Sequence, residues 1–201
     1  IASADEVLKV IANNDAPLGI IAVLNDDAPA AFAALESSGI KVPKDFVGKR
    51  VGLLPFGSTR LIYLSLLAKL NIPRDKITEV NITPDLRPFV TGSTHDVQPV
   101  YAYDEPVTLE KQGIRYTLIL PGDYGVRYKG PVYFTTLATI QKDPELVSRF
   151  LRATMAGWRV AATNPEKAIA ALAGVSPTID KVRELEVLRR ALPYYVSPNR
   201  N

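Results

Sequence analysis

A chain of 201 residues, 47% of them hydrophobic and 22% charged, is long enough to bury a core and ordinary in charge for a globular protein. Its net charge of +3 is carried by dispersed basic residues with no Lys/Arg run or aromatic-basic stripe, which argues against nucleic acid as a partner. The absence of cysteine excludes thiol catalysis, disulfides and Cys-ligated metals, and the single histidine, His95, excludes a multi-His zinc site.

No stretch reaches the roughly 18 apolar residues of a membrane span. The chain opens Ile1-Ala2-Ser3 without an initiator Met, as a processed or trimmed chain does, so a missing signal peptide does not place it in the cytoplasm. Near this start, Ser3 or Asp5 caps a short helix through Val7, Leu8 and Ile11, and residues 13–15 stop it. The apolar run LGIIAVL (18–24) predicts a strand buried on both faces. PAAFAAL (29–35) fits strand or helix, and the Gly- and Pro-punctuated stretch that follows reads as a hinge or linker.

Alternation then sets in. RVGLL (50–54), ITEVNI (77–82), DVQPVY (96–101) and RYTLIL (115–120) predict strands. Between them fall helices at 58–70, 84–92 and 105–113, the last with Pro106 in its first turn and Gly113 at its end. Such alternation with short joints predicts βαβ units and a mainly parallel sheet. After a glycine-rich loop, PVYFTT (131–136) predicts a strand, and from Asp143 the pattern is helical, with Asp143-Pro144 and Asn164-Pro165 as helix starts. The division expected is 1–47 as part of a first lobe, 48–125 as a second α/β lobe and 126–201 as a helical return to the first. The chain would then cross between lobes near 40–50 and near 121–133.

Three stretches hold candidate chemistry. Gly57-Ser58-Thr59 joins a strand to a helix. Its glycine permits close approach, its hydroxyls can donate, and the helix start attracts a carboxylate, sulfonate, phosphate or carbonyl oxygen. The same Ser58 would serve simply to cap the helix. It is neither a P-loop nor a GxGxxG turn. In VYAYDEP (100–106), Tyr101 or Tyr103 would stack on a planar ligand, and Asp104 or Glu105 would accept from its N–H groups. Both acids also suit a helix start for dipole reasons alone. In GDYGVRYKG (122–130), Tyr124 would wall a ligand or lie in an ordinary surface loop. Ser3 would face the same cleft if it ends a strand. His95, in a polar turn, reads as solvated rather than catalytic.

The segments GKRVGLLPFGSTRLIYLSLLAKLNI, VYAYDEPVTLEKQGI, LPGDYGVRYKGPVYFTT and DPELVSRFLRATMAGWRVAATNPEKAIAAL resemble substrate-binding proteins of ABC importers, in the branch similar to thiamine-pyrimidine-precursor synthases and binding proteins. The resemblance implies an α/β, two-lobed periplasmic-binding-protein-like clamshell with two crossovers, its first lobe incomplete here. It implies a ligand held between lobes by Gly57, Ser58, Thr59, Tyr103, Glu105, Tyr124 and Ser3, with Asp104 where relatives commonly carry Asn. The function expected is non-enzymatic capture of a small planar molecule, pyrimidine-, flavin- or aromatic-like, for an ABC permease. No cofactor or metal is expected, and the location would be periplasmic or extracellular and membrane-anchored. The alternatives are a pyrimidine-precursor biosynthetic enzyme of the same fold, disfavoured by the lack of cysteine, or a sensing or dimerising module. An exposed sheet edge of the incomplete lobe would invite a homodimer.

Overall fold

The computed structural model describes residues 1–25, 27–55 and 57–195. The chain divides into two units, Ile1–Ala28 with Lys129–Asn201, and Pro29–Tyr128. The first boundary thus falls earlier in the chain than residue 47, because residues 30–35 pair into the sheet of the second unit rather than the first.

The first unit holds a three-stranded sheet in the order β1-β8-β2. Its strands are β1 (Ala2–Ser3), β2 (Leu18–Val23) and β8 (Pro131–Thr136). Both β1 and β2 run antiparallel to β8, with Ser3 opposite Pro131 and Val23 opposite Val132. Among the described residues β2 pairs with β8 alone, and it is half-buried and leaves Ile20 and Val23 exposed, not sealed on both faces as its apolar run suggests. Helix α1 (Ala4–Asn14) connects β1 to β2 and ends at Asp15, whose φ of 47° is left-handed.

Helices α5 (Leu137–Lys142), α6 (Pro144–Thr163), α7 (Pro165–Val175) and α8 (Lys181–Tyr195) follow β8. Their starts are set locally. The Asp143 side chain accepts from the Leu146 N–H at 2.8 Å, and that of Asn164 from the Lys167 N–H at 2.9 Å. Each is followed by a proline whose missing N–H costs the helix nothing. Trp158 of α6 stacks on Tyr195 of α8 at 4.8 Å, and Phe150 meets Tyr133 of β8 edge-on at 5.5 Å.

The second unit is a five-stranded sheet in the order β5-β4-β6-β3-β7, made of β3 (Ala30–Leu35), β4 (Arg50–Leu53), β5 (Thr78–Asn81), β6 (Val97–Tyr101) and β7 (Tyr116–Ile119). β4 pairs in parallel with β5 and β6, as the alternation predicts. β3 enters between β6 and β7, antiparallel to both, so the sheet is mixed. Its alanines pack into the sheet centre with almost no exposure, a burial that a run of small residues does not announce.

Helices α2 (Thr59–Lys69), α3 (Arg87–Val90) and α4 (Glu105–Lys111) cover the sheet. Side chains alternate across a strand. Phe32 accordingly meets Tyr63 of α2 and Phe46 on one face, at 6.3 and 5.9 Å. Its neighbours Ala31 and Ala33 cluster on the other with Phe89 of α3, Val100, and Leu109 of α4. At the start of β4, Arg50 ties down the turn before β6. It donates to both Asp96 oxygens, at 2.6 and 3.2 Å, and to the carbonyls of Gly92 and Ser93.

Candidate functional site

In an open α/β sheet, the place where successive connections leave in opposite directions is a crevice beyond the carboxyl ends of the strands. Here that place lies between β4 and β6. From β4 the chain passes through α2 to β5 on one side. From β6 it passes through α4 to β7 on the other, with α2 and α4 on opposite faces. The two segments that open these connections are 54–58 and 102–104, so Gly57-Ser58-Thr59 and Tyr101 to Glu105 emerge at the same edge from neighbouring parallel strands.

At the first segment Gly57 has φ +79°, a conformation in which any Cβ is strained. Ser58 occupies the cap position in a helical conformation (φ −75°, ψ −12°) and makes no side-chain cap hydrogen bond, so simple capping does not account for it. Thr59 opens α2, is 8% exposed, and its hydroxyl is buried without a hydrogen-bond partner among the described residues. First-turn N–H groups have no intrahelical acceptor. No acidic residue stands in the first turn of α2 to offset the positive helix end. This end of α2 therefore suits an oxygen-bearing or anionic group.

At the second segment the rings of Tyr101 and Tyr103 lie parallel, 8° between planes and 5.8 Å between centroids, with Tyr101 40% exposed. The Glu105 carboxylate accepts the Tyr101 N–H at 2.7 Å, and the Asp104 N–H donates to the Tyr101 carbonyl at 3.0 Å. One oxygen of Glu105 thus fastens the turn that presents the two rings. This gives Glu105 a structural duty that its place in the sequence does not reveal. Asp104 sits at the cap position of α4 with no side-chain cap bond.

Tyr124 is not brought to this edge. It ends the turn Pro121–Tyr124, and a Cβ on the adjoining Gly125 would stand 3.6 Å from the side chain of Lys69, the last residue of α2. Eleven helical residues span about 16 Å, so Tyr124 stands at the other end of α2 from Thr59. Burial, and then the charges of Asp123 and Asp45, push its hydroxyl pKa up. The chain leaving β7 folds back along α2, where the Tyr128 hydroxyl pairs with that of Ser65. Nothing in the loop's composition signals that return.

Ser3 belongs to the first unit. It ends β1 opposite Pro131 and precedes α1 without a side-chain cap bond. Two residues past the end of β2 in the same unit is a residue that the sequence does not single out. Asn25 is 2% exposed, and neither its Oδ1 nor its Nδ2 has a partner among the described residues. The one available signal is a polar residue directly after an apolar strand.

His95 is not solvated. It is 1% exposed, with Nδ1 2.6 Å from the Thr94 hydroxyl and Nε2 2.5 Å from the Gln98 carbonyl oxygen, and its ring stacks on Phe89 at 5.8 Å. Burial lowers its pKa, so the ring is held neutral. No group of three or more His, Asp or Glu suited to a metal stands among the described residues. None of their helices is long and apolar enough to cross a membrane.

A 4-amino-5-hydroxymethyl-2-methylpyrimidine phosphate synthase of Legionella pneumophila is 26% identical over 183 residues, covering 89% of this chain and 57% of its own. The riboflavin-binding protein RibY of Chloroflexus aurantiacus is 27% identical over 189 residues, covering 89% of this chain and 52% of its own. The chain therefore spans little more than half the length of either relative. Among solved structures, the periplasmic aliphatic sulphonate binding protein SsuA of Escherichia coli superposes with a TM-score of 0.72 at 18% identity, over 90% of this chain and 61% of its own. That likeness shows an α/β fold of the periplasmic-binding-protein kind. The family model described as NMT1/THI5 like matches residues 1–168, and the chain belongs to the NMT1/THI5-like family.

Proposed function

We propose that the chain captures a small planar molecule, pyrimidine-, flavin- or aromatic-like, and delivers it to an ABC permease outside the cytoplasm. The observation that carries this reading is the edge between β4 and β6. The start of α2, with the buried hydroxyl of Thr59 and no acid in its first turn, and the parallel rings of Tyr101 and Tyr103 follow the ends of these two neighbouring parallel strands. The rings offer a stacking surface and the helix start offers donors, a combination suited to a flat ring bearing an oxygen-rich substituent. Similarity to a riboflavin-binding protein and to a periplasmic sulphonate-binding fold supports capture, and through it the extracytoplasmic location and the permease. No observation on the molecule favours the homodimer that the sequence suggests.

The second reading is biosynthetic, favoured by similarity to a pyrimidine phosphate synthase. Against it stand the absence of cysteine and a single histidine that is buried and held neutral. Thermal unfolding against pyrimidines, flavins, aliphatic sulfonates and aromatic acids separates the outcomes. Capture predicts that one class raises the melting temperature, since ligand at 100 times its Kd stabilises by about 2.7 kcal/mol. A flat response to every class would defeat the proposal. Conversion of a pyrimidine precursor to a new product would favour the enzyme.

A further inference from the structure

The Pro29–Tyr128 unit has a groove away from the β4–β6 edge. We infer that this groove binds a free amino acid with a branched aliphatic side chain, held as the zwitterion. The inference goes beyond the reading above and uses none of the residues that carry it.

The groove follows from how the core face of the sheet ends. Ala31, Ala33 and Leu35 of β3 share one face, on which Phe89 of α3 and Leu109 of α4 build a core. α3 stops at Val90 and α4 at Lys111. Gly113, with φ 69°, then turns the chain through Ile114 toward β7. At these helix ends a space of about 370 Å³ is lined by Leu35, Val90 and Ile114, with Glu36, Ser37 and Arg115 around them. Small-molecule sites run to roughly 300–1,000 Å³, so a compact ligand fits this one. The three apolar residues are half-buried and pack against the core cluster, which makes a firm floor.

Strand pairing places the charged residues. Leu35 lies opposite Tyr116, and one step further along the same antiparallel ladder the Glu36 N–H donates to the Arg115 carbonyl at 3.1 Å. Opposite charges directly across a ladder attract. Arg115 Nε accordingly meets Glu36 Oε2 at 2.8 Å. Arg115 and Glu36 are 86% and 54% exposed, so water screens the pair and holds it only weakly together. A zwitterion parts them at little cost, because both charges regain a partner. Its carboxylate accepts from the guanidinium, and its ammonium donates to the Glu36 carboxylate. An anion alone would set a like charge beside Glu36, and an amine alone would set one beside Arg115. A branched aliphatic side chain then covers Leu35, Val90 and Ile114.

This place is separate from the edge described above. β3 is antiparallel to β6 and β7, so Leu35 stands at the end of the sheet where those strands begin. Tyr101 closes β6 at the other end, about 13 Å from Val97.

The test titrates the 201-residue chain, carrying labelled Ile, Leu and Val methyl groups, and follows it by NMR. The probes are L-leucine, 4-methylpentanoate, which lacks the ammonium, 3-methylbutylamine, which lacks the carboxylate, and glycine, which lacks the side chain. L-Leucine should shift the methyl signals of Leu35, Val90 and Ile114 saturably. Each of the other three should bind more weakly by about fivefold or more. Arg115→Gln and Glu36→Gln, both at exposed positions, should each weaken L-leucine by a similar factor. Equal binding of 4-methylpentanoate or 3-methylbutylamine overturns the zwitterion, and equal binding of glycine overturns the apolar floor. Unmoved methyl signals up to the solubility of L-leucine overturn the site, as do shifts confined to residues beside Tyr101 and Tyr103. The thermal screen of the capture reading is a separate measurement, so either idea can fail alone.

Discussion

Burial holds His95 neutral, and this gives folding a proton dependence that the sequence does not announce. Its folded pKa lies below the ordinary 6.5, with loss of solvation as the main cause. The unfolded chain therefore binds the proton first. Stability is complete above pH 6.5 and falls as the pH drops from there toward the folded value. Asp96, lowered by its bonds to Arg50, adds its own loss only as the pH falls below its ordinary 3.8. Urea unfolding at pH 7 and pH 5 should show native stability dropping between them, and a smaller drop in His95→Gln. Equal drops in the two proteins would remove His95 as the cause. Thr59 makes the complementary case. Thr59→Val keeps the shape and removes a buried hydroxyl with no partner, so stability should hold or rise by about 1 kcal/mol. If that hydroxyl serves the ligand, affinity for whatever the thermal screen selects should fall about tenfold. A variant that loses stability and keeps affinity would make Thr59 structural.

Elements were legible where the signal is local. Asp143-Pro144 and Asn164-Pro165 start helices because cap and proline act within one turn, and both bonds are present. The strands 50–53, 78–81, 97–101 and 116–119 lie inside their predicted runs. β3 was not legible as a strand. Its Ala-rich run has no polar alternation, since both faces are covered, and its antiparallel entry depends on pairing with Tyr101 and Ile119, far along the chain. The neighbouring β4 is held as tightly. A Cβ on Gly52 would stand 2.7 Å from the Ile82 side chain, 3.0 Å from His95 and 3.1 Å from the Val97 carbonyl. Gly52→Ala should therefore cost about 1–3 kcal/mol through overpacking, measured by denaturant unfolding. Stability within 0.5 kcal/mol of native, roughly the range of an ordinary surface change, would show that the site yields freely.

Across the whole molecule the buried core is unevenly shared. Among the described residues of the first unit the buried apolar ones are Val7, Val132, Ile169 and Ala191, and the long helix α6 buries none of its side chains fully. The second unit buries Phe32, Phe46, Ile62, Tyr63, Leu66, Phe89 and Leu109 around one sheet. Opening free energy follows buried apolar packing. Amide hydrogen exchange should therefore be slower in β3, β4 and β6 than in α6 and α7. The reverse order would mean that α6 is more deeply packed than its exposed Phe150 and Met155 indicate.

By itself the sequence determined the strand-helix alternation from β4 to β7, the helix starts at Asp143 and Asn164, the glycine turn before α2 and the family, because periodicity, caps and turn residues act over a few positions. Only the tertiary structure decided that β3 splits the parallel strands, that Glu105 fastens the Tyr101 turn, that Tyr124 goes to the far end of α2, and that His95 and Asn25 are buried. Those outcomes rest on strand order and on pairings such as Arg50 with Asp96, 46 residues apart, where the free energy comes from burial shared between segments that carry no local mark of each other.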